Sequence, residues 1–372
     1  MDNITTKKIH KSFIHISKRP ELPLKKVIIY YAVAVVLALI VCGLFVLIIG
    51  VNPFYFFGTM ISGCFRSELA FVSTIKIVLP LLITSLGLCL SFKMKFWNIG
   101  GEGQFIMGAV FASFFALYCN SMPHFLLMIV MFLAGAVGGG LFGLIAAFFK
   151  CKFGTNETLL TLMLNYIALY IIQYLRDGPW RDPNGSGFQR IAKFPEVAWL
   201  DQVLGIDVTW VIAIILLVAV FIYLKYTKHG YEISVVGDSK NTARYAGMNV
   251  DLIVMRTMFI SAALCGIAGM LQVSGDATSH TLDMDIAGGI GFTAIIVAWL
   301  AKLNPIGIFI VSCLFGILEK GASVAGSKFD LSSSVSDVVQ GIFLFIVLGT
   351  EFFMRYKVCL NHTKTSDGGV VK

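Results

Sequence analysis

Long apolar runs recur along this whole sequence, and they decide its class before any motif is read. A helix needs about 20 such residues to cross the hydrocarbon core of a bilayer with its backbone hydrogen bonds closed internally. Ten runs reach or approach that length: residues 27–50, 70–92, 99–118, 124–149 and 158–175, then 208–226, 252–274, 286–301, 305–325 and 336–354. The chain is 57% hydrophobic and only 13% charged, whereas a soluble domain carries about a quarter charged residues. Alternating strand-length patterns are absent, which sets a β-barrel aside. The expected fold is an all-α polytopic membrane protein of about ten transmembrane helices.

Lys and Arg give the orientation. With the N-terminus in the cytoplasm, 21 of the 29 basic residues fall on the inner side and 7 on the outer, and Lys76 lies within the second span. That bias places both termini inside. It also accounts for the net charge of +8 without nucleic acid. The expected division is a basic cytoplasmic segment at 1–26, a transmembrane domain at 27–354 and a cytoplasmic tail at 355–372. The first run is too long for a cleavable signal and is expected to stay as an anchor. The eight cysteines are scattered, mostly in apolar runs, and read as small buried hydrophobes rather than disulfides or a metal site.

Two polar stretches interrupt the spans. The first, 228–251, reads KHGYEISVVGDSKNTARYAGMNVD and falls on the cytoplasmic side. Asp238 or Ser239 can cap a helix there and Gly247 can end it, with about two turns between them. So short a helix is marginal alone, so it is either a solvated loop or a docking element for a second protein. The second stretch, 176–207, is the long external loop, with Trp180, Phe188, Phe194 and Trp199 among prolines and glycines. It reads equally as a cap resting on lipid headgroups or as a landing surface for an external partner. A third loop, 275–285, carries Asp276, Asp283 and Asp285 without a basic residue.

No Gly-x4-Gly-Lys-Ser/Thr sequence occurs, so the chain has no P-loop of its own. Gly138-Gly-Gly-Leu-Phe-Gly143 matches a dinucleotide fingerprint in letters only. It lies mid-span, where small residues such as Gly135 and Gly139 let helices approach. No catalytic or metal constellation is visible, so neither catalytic residues nor a metal are expected. Few ionisable groups lie within the spans, which argues against an ion-coupled carrier acting alone. Lys76 is near enough to the outer end to snorkel out.

The exception is Glu102, in Asn98-Ile-Gly100-Gly101-Glu102-Gly103-Gln104. Three glycines there loosen the helix start, so backbone and polar side chains can line a cavity or bond a neighbouring helix. A satisfied interhelical carboxylate and a direct contact with cargo both remain open. The eighth span opens Gly288-Gly289-Ile-Gly291-Phe292, echoing the first break. Spans two to five and seven to ten would form an inverted repeat, with these breaks in matching places beside the transport pathway. Asn156, Glu157, Thr161 and Asn165 likewise suit a bundle interior.

Four segments in sequence order carry a resemblance: FWNIGGEGQFIMGA (96–109), NETLLTLMLNYIA (156–168), GYEISVVGDSKNTARYAGMNV (230–250) and GFTAIIVAWLAKLNPIGI (291–308). Together, over roughly residues 30–355, they resemble the permease subunits of bacterial ABC importers in the ribose/branched-chain amino-acid permease superfamily, most closely the nucleoside (simple-sugar-type) permeases. The resemblance implies about ten spans in the bacterial cytoplasmic membrane. It also implies a coupling helix, here with Asp238, Ser239, Asn241, Ala243, Arg244, Tyr245, Ala246 and Gly247, seated on a separate ATPase that holds ATP and Mg. An extracytoplasmic solute-binding lipoprotein and a second, non-identical permease are the other implied partners. Cargo is expected to be a nucleoside, or alternatively a simple sugar such as ribose or galactose. The sequence departs from the family pattern at Trp97, Gly101 and Trp299-Leu-Ala-Lys302.

Overall fold

The computed structural model describes residues 14–19, 23–183, 189–275 and 280–360. Asp276 and Phe188 therefore lie outside the described residues, as does most of the N-terminal segment and of the C-terminal tail. The chain divides into two compact units, Phe57–Ser333 and a second built from Met1–Phe56 with Ser334–Lys372.

In the second unit, β1 (Ile14–Lys18) pairs antiparallel with β4 (Tyr356–Leu360), Ile16 opposite Val358. The helices α1 (Leu24–Ile48) and α13 (Ser333–Arg355) belong to it, and Cys42 Sγ lies 3.5 Å from the Val339 carbonyl oxygen. The sequence gives no sign of this strand pair. The helix α2 (Pro53–Phe65) is a short extra helix between the first two expected spans.

The larger unit carries α3 (Glu68–Lys93), α4 (Gly101–Tyr118), α5 (His124–Phe153), α6 (Glu157–Asp177) and α7 (Thr209–Tyr226). After them come α8 (Lys228–Asp238), α9 (Lys240–Tyr245), α10 (Val250–Gly275), α11 (Ile290–Leu300) and α12 (Pro305–Lys328). A two-residue ribbon, β2 (Gln202–Val203) with β3 (Ile206–Asp207), precedes α7.

Local chemistry sets most boundaries. The Ser67 hydroxyl caps α3 by accepting from the Ala70 N–H at 3.2 Å, and Asn156 caps α6 through the N–H groups of Thr158 and Leu159. Gly154, at φ +66°, ends α5 in the left-handed conformation. Each of the ten expected spans contains a helix. Among the described residues, eight helices are long and apolar enough to cross a membrane. The other two expected spans hold α4, which opens with Gly101-Glu102-Gly103-Gln104, and α11, only 11 residues long.

The core lies where α3, α4, α5 and α10 cross. A Cβ at Gly266 would collide with the Gly135 carbonyl oxygen, and one at Gly108 with the Gly266 backbone. A Cβ at Gly139 would also strike Gly266 Cα, so the glycines of 135–143 serve helix packing. The helices α3 and α10 are enclosed along most of their length, while α6 and α7 show most of their surface.

Candidate functional site

The two glycine breaks meet. Gly288 and Gly289, with φ of +49° and +81°, turn the chain into α11, whose first N–H groups would otherwise lack acceptors. Glu102 supplies them: Oε1 accepts from the Gly289 N–H at 2.9 Å and Oε2 from the Gly291 N–H at 2.6 Å. A carboxylate at a helix N-terminus is favoured by the helix dipole and by charge-assisted hydrogen bonding. Glu102 also sits in the first turn of α4, so it serves two helix starts at once. The approach is close enough that a Cβ on Gly291 would strike the Glu102 backbone. Of the two open readings of Glu102, the geometry is that of a satisfied interhelical carboxylate.

The remaining polar groups of this break satisfy one another. Asn98 and Gln104 exchange two amide hydrogen bonds, at 3.0 and 3.1 Å, and Asn98 Oδ1 also accepts from the Gly100 N–H. Asn165, from α6, accepts from the Gly103 N–H at 2.8 Å and donates to the Ile99 carbonyl at 2.9 Å. Thr161 Oγ1 accepts from the Ile99 N–H. Gly101 packs on Leu88. Thus Asn98, Gly100, Gly101, Glu102, Gly103, Gln104, Asn165, Gly289 and Gly291 form one assembly. Asn156 and Glu157 stand apart from it: Asn156 caps α6 at its exposed end, and Glu157 pairs with Lys150 at 2.6 Å. Phe292 is 43% exposed.

Gly288 also borders a cavity of about 240 Å³. Its wall includes Lys76, Asp207, Gln272, Asp285 and Glu319. Lys76 reaches toward the face bearing residues 176–207 and finds a partner there. Its Nζ pairs with Asp207 at 2.9 Å and donates to the Gly275 carbonyl oxygen at 3.1 Å. Nothing near either residue in sequence announces this pair. The only sign was a lone Lys inside a span, which by default invites the search for a partner.

The polar stretch 228–251 forms two helices rather than one. Ser239, not Asp238, caps α9, accepting from the Thr242 N–H at 3.2 Å, and Gly247 follows at φ +75°. Asp238 is the last residue of α8. Asn241, Arg244, Ala246 and Gly247 are exposed, and Tyr245 is 92% exposed. Ala243 is buried and faces its own chain. The helix α8 is seated firmly: a Cβ on Gly237 would hit the Lys93 carbonyl at the end of α3, and Glu232 binds Arg256 of α10 at 2.7 Å. In the loop 176–207, Trp180 and Phe194 are buried, and Trp199, half-buried, stacks on His280 at 4.0 Å.

The fold and this polar junction define a multi-pass helical membrane protein with a dense glycine-lined core. The chain belongs to the family of branched-chain amino acid transport system permease components, which it matches over residues 70–348. Among curated relatives it is similar to the guanosine ABC transporter permease protein of Bacillus subtilis, 29% identical over 87% of this chain and 93% of the relative. The glucose ABC transporter permease protein of Haloferax volcanii is 26% identical over 87% and 88%. A nucleoside ABC transporter permease protein of Lactococcus lactis is 27% identical over 78% and 82%. The chain is thus an ABC transporter permease, a transport component.

Proposed function

We propose that this chain is the transmembrane permease of an ATP-driven importer of nucleosides. It would act with a separate ATPase carrying ATP and Mg, an extracytoplasmic solute-binding lipoprotein and a second, non-identical permease. The observation that carries the coupling role is the mounting of α9. It presents Arg244, Tyr245 and Ala246 outward, while α8 beneath it is wedged on α3 and tied to α10. A push on α9 therefore reaches two largely enclosed helices of the bundle. A partner holding nucleotide would bias inward- against outward-facing states by binding one of them better. The guanosine and nucleoside permeases among the relatives favour nucleoside cargo. A simple sugar is the second reading, favoured by the glucose permease of Haloferax volcanii.

The coupling role is tested with Arg244→Glu in the assembled transporter. The expected result is loss of uptake while ATP hydrolysis continues; normal uptake by this variant overturns it. Cargo is tested by uptake of labelled guanosine, ribose and glucose in cells lacking other routes for them. Guanosine uptake dependent on this chain supports the first reading, and sugar uptake alone supports the second.

A further inference from the structure

We propose that the cavity beside Gly288 receives an uncharged, hydroxyl-rich solute from the face bearing residues 176–207, and that the Lys76–Asp207 pair latches it shut. This rests on the importer reading above and adds where the solute enters and what closes behind it.

The chemistry of the wall selects the solute. One cation and three carboxylates line it, Lys76 against Asp207, Asp285 and Glu319, and the cation is already engaged by Asp207. A phosphorylated solute would meet net negative charge at close range. Hydroxyl groups would meet acceptors in the carboxylates and a two-way partner in the Gln272 amide. No aromatic ring is among the described lining residues, which suit a sugar moiety better than stacking on a base. The larger groove of about 750 Å³ among Met107, Phe111, Phe114 and Leu133 is almost wholly apolar and offers such a solute nothing.

The geometry identifies the latch. Lys76 extends from α3 and binds both the Asp207 carboxylate of β3 and the last carbonyl of α10, at Gly275. Three elements are thereby held together by one ammonium group at the edge of the cavity. The Asp207 side chain is 8% exposed and that of Lys76 27%. Removing Lys76 leaves the buried Asp207 carboxylate without its counter-charge, so the closed arrangement depends on the pair. A cation beside the carbonyl end of α10 is also favoured by that helix's dipole. The cavity's inner boundary, Gly288 and Ile290, is the irregular start of α11 that Glu102 holds. Displacement of α11 relative to α4 would alter that boundary directly.

The test places a cysteine in the wall, Gln272→Cys, in the full chain expressed with its partner subunits in intact cells. Labelling by a membrane-impermeant thiol reagent is measured against the parent chain, which has eight cysteines of its own. Slow labelling is expected, made severalfold faster by adding Lys76→Met and returned to the slow rate by Lys76→Arg. Asp207→Asn, which keeps the shape of the side chain, replaces Lys76→Met if that variant does not reach the membrane. Guanosine or ribose should slow labelling, and guanosine 5′-monophosphate and ribose 5-phosphate should not. Labelling unmoved by both latch variants, or slowed equally by phosphorylated and uncharged solutes, overturns the proposal. If the parent chain drives no ATP-dependent uptake of any solute, the importer reading fails instead.

Discussion

At the scale of single residues, Glu102 decides whether the glycine breaks are joined or merely adjacent. Glu102→Ala would leave the Gly289 and Gly291 N–H groups without acceptors in a buried site. An unsatisfied buried donor costs about 1–3 kcal/mol, so the variant should unfold at clearly lower temperature in detergent, with Glu102→Gln intermediate. An unchanged melting temperature with impaired uptake would instead make Glu102 a cargo contact. The sequence marked Glu102 as unusual but left both readings open, because its partners lie 187 and 189 positions further along the chain. The partner of Lys76 was hidden for the same reason: alone in a span, a lysine is expected to reach for water, and Asp207 is not visible beside it in the sequence. Trp97 and Trp299, two departures from the family pattern, prove to be a single feature. Their rings stack at 5.4 Å and 18°, with Phe92 against both. Aromatic pairs of this kind are worth about 0.5–1.5 kcal/mol beyond their burial. A double-mutant cycle with Trp97→Leu and Trp299→Leu should return a coupling of that size, whereas additive losses would mean the stack contributes nothing.

Among the elements, the coupling segment was half legible. Ser239 and Gly247 were readable as start and stop because caps and left-handed glycines are local chemistry. The helix α8 was not, since Gly230 and Gly237 look like breakers. They belong to its buried face with Ile233 and Val236, and their missing side chains let α8 press onto the carbonyls of Tyr223, Leu224 and Lys93. Long-range backbone contact of that kind leaves no pattern in the sequence. Ser239→Ala should cost α9 about 1 kcal/mol, seen as faster amide exchange at Thr242 with the bundle unaffected. The tie from α8 to α10 is sensitive to acid. Hydrogen bonding from Arg256 holds the Glu232 carboxyl below its ordinary value of 4.5, with His229 helping and burial opposing. A carboxyl more acidic when folded contributes stability that is whole above its unfolded value and is lost as pH falls through the folded one. The melting-temperature gap between the parent chain and Glu232→Gln should therefore be full at neutral pH, begin to shrink below about pH 4.5 and close as pH falls through the lower folded value. A gap that stays open well below that point would mean the carboxylate's charge is not what binds Arg256.

For the molecule as a whole, the ten apolar runs all proved helical because bilayer length and composition leave the backbone little choice. What hydropathy does not convey is division of labour. The polar opening of α4 and the shortness of α11 look like weak spans in isolation, yet the starts of these two helices meet through Glu102. An element can be short or polar when a neighbour satisfies its backbone, and that depends on distant sequence. The same logic extends beyond the chain. Tyr245 at 92% exposure and the outward Arg244 occupy the tip of a helix too short to persist for its own sake, rigidly mounted on α3 and α10. Such a mounting has a purpose only if something presses on it. Mild detergent extraction of the chain from native membranes, followed by identification of what co-purifies, should yield a P-loop ATPase together with a second permease. Substituting Tyr245→Asp should release the ATPase and leave the second permease attached, because the substitution touches only the tip of α9. Recovery of an ATPase with this permease alone would replace the paired arrangement with two copies of one chain. Recovery of the chain with no ATPase, under conditions that keep other transporters of this class intact, would remove the basis for ATP-driven import.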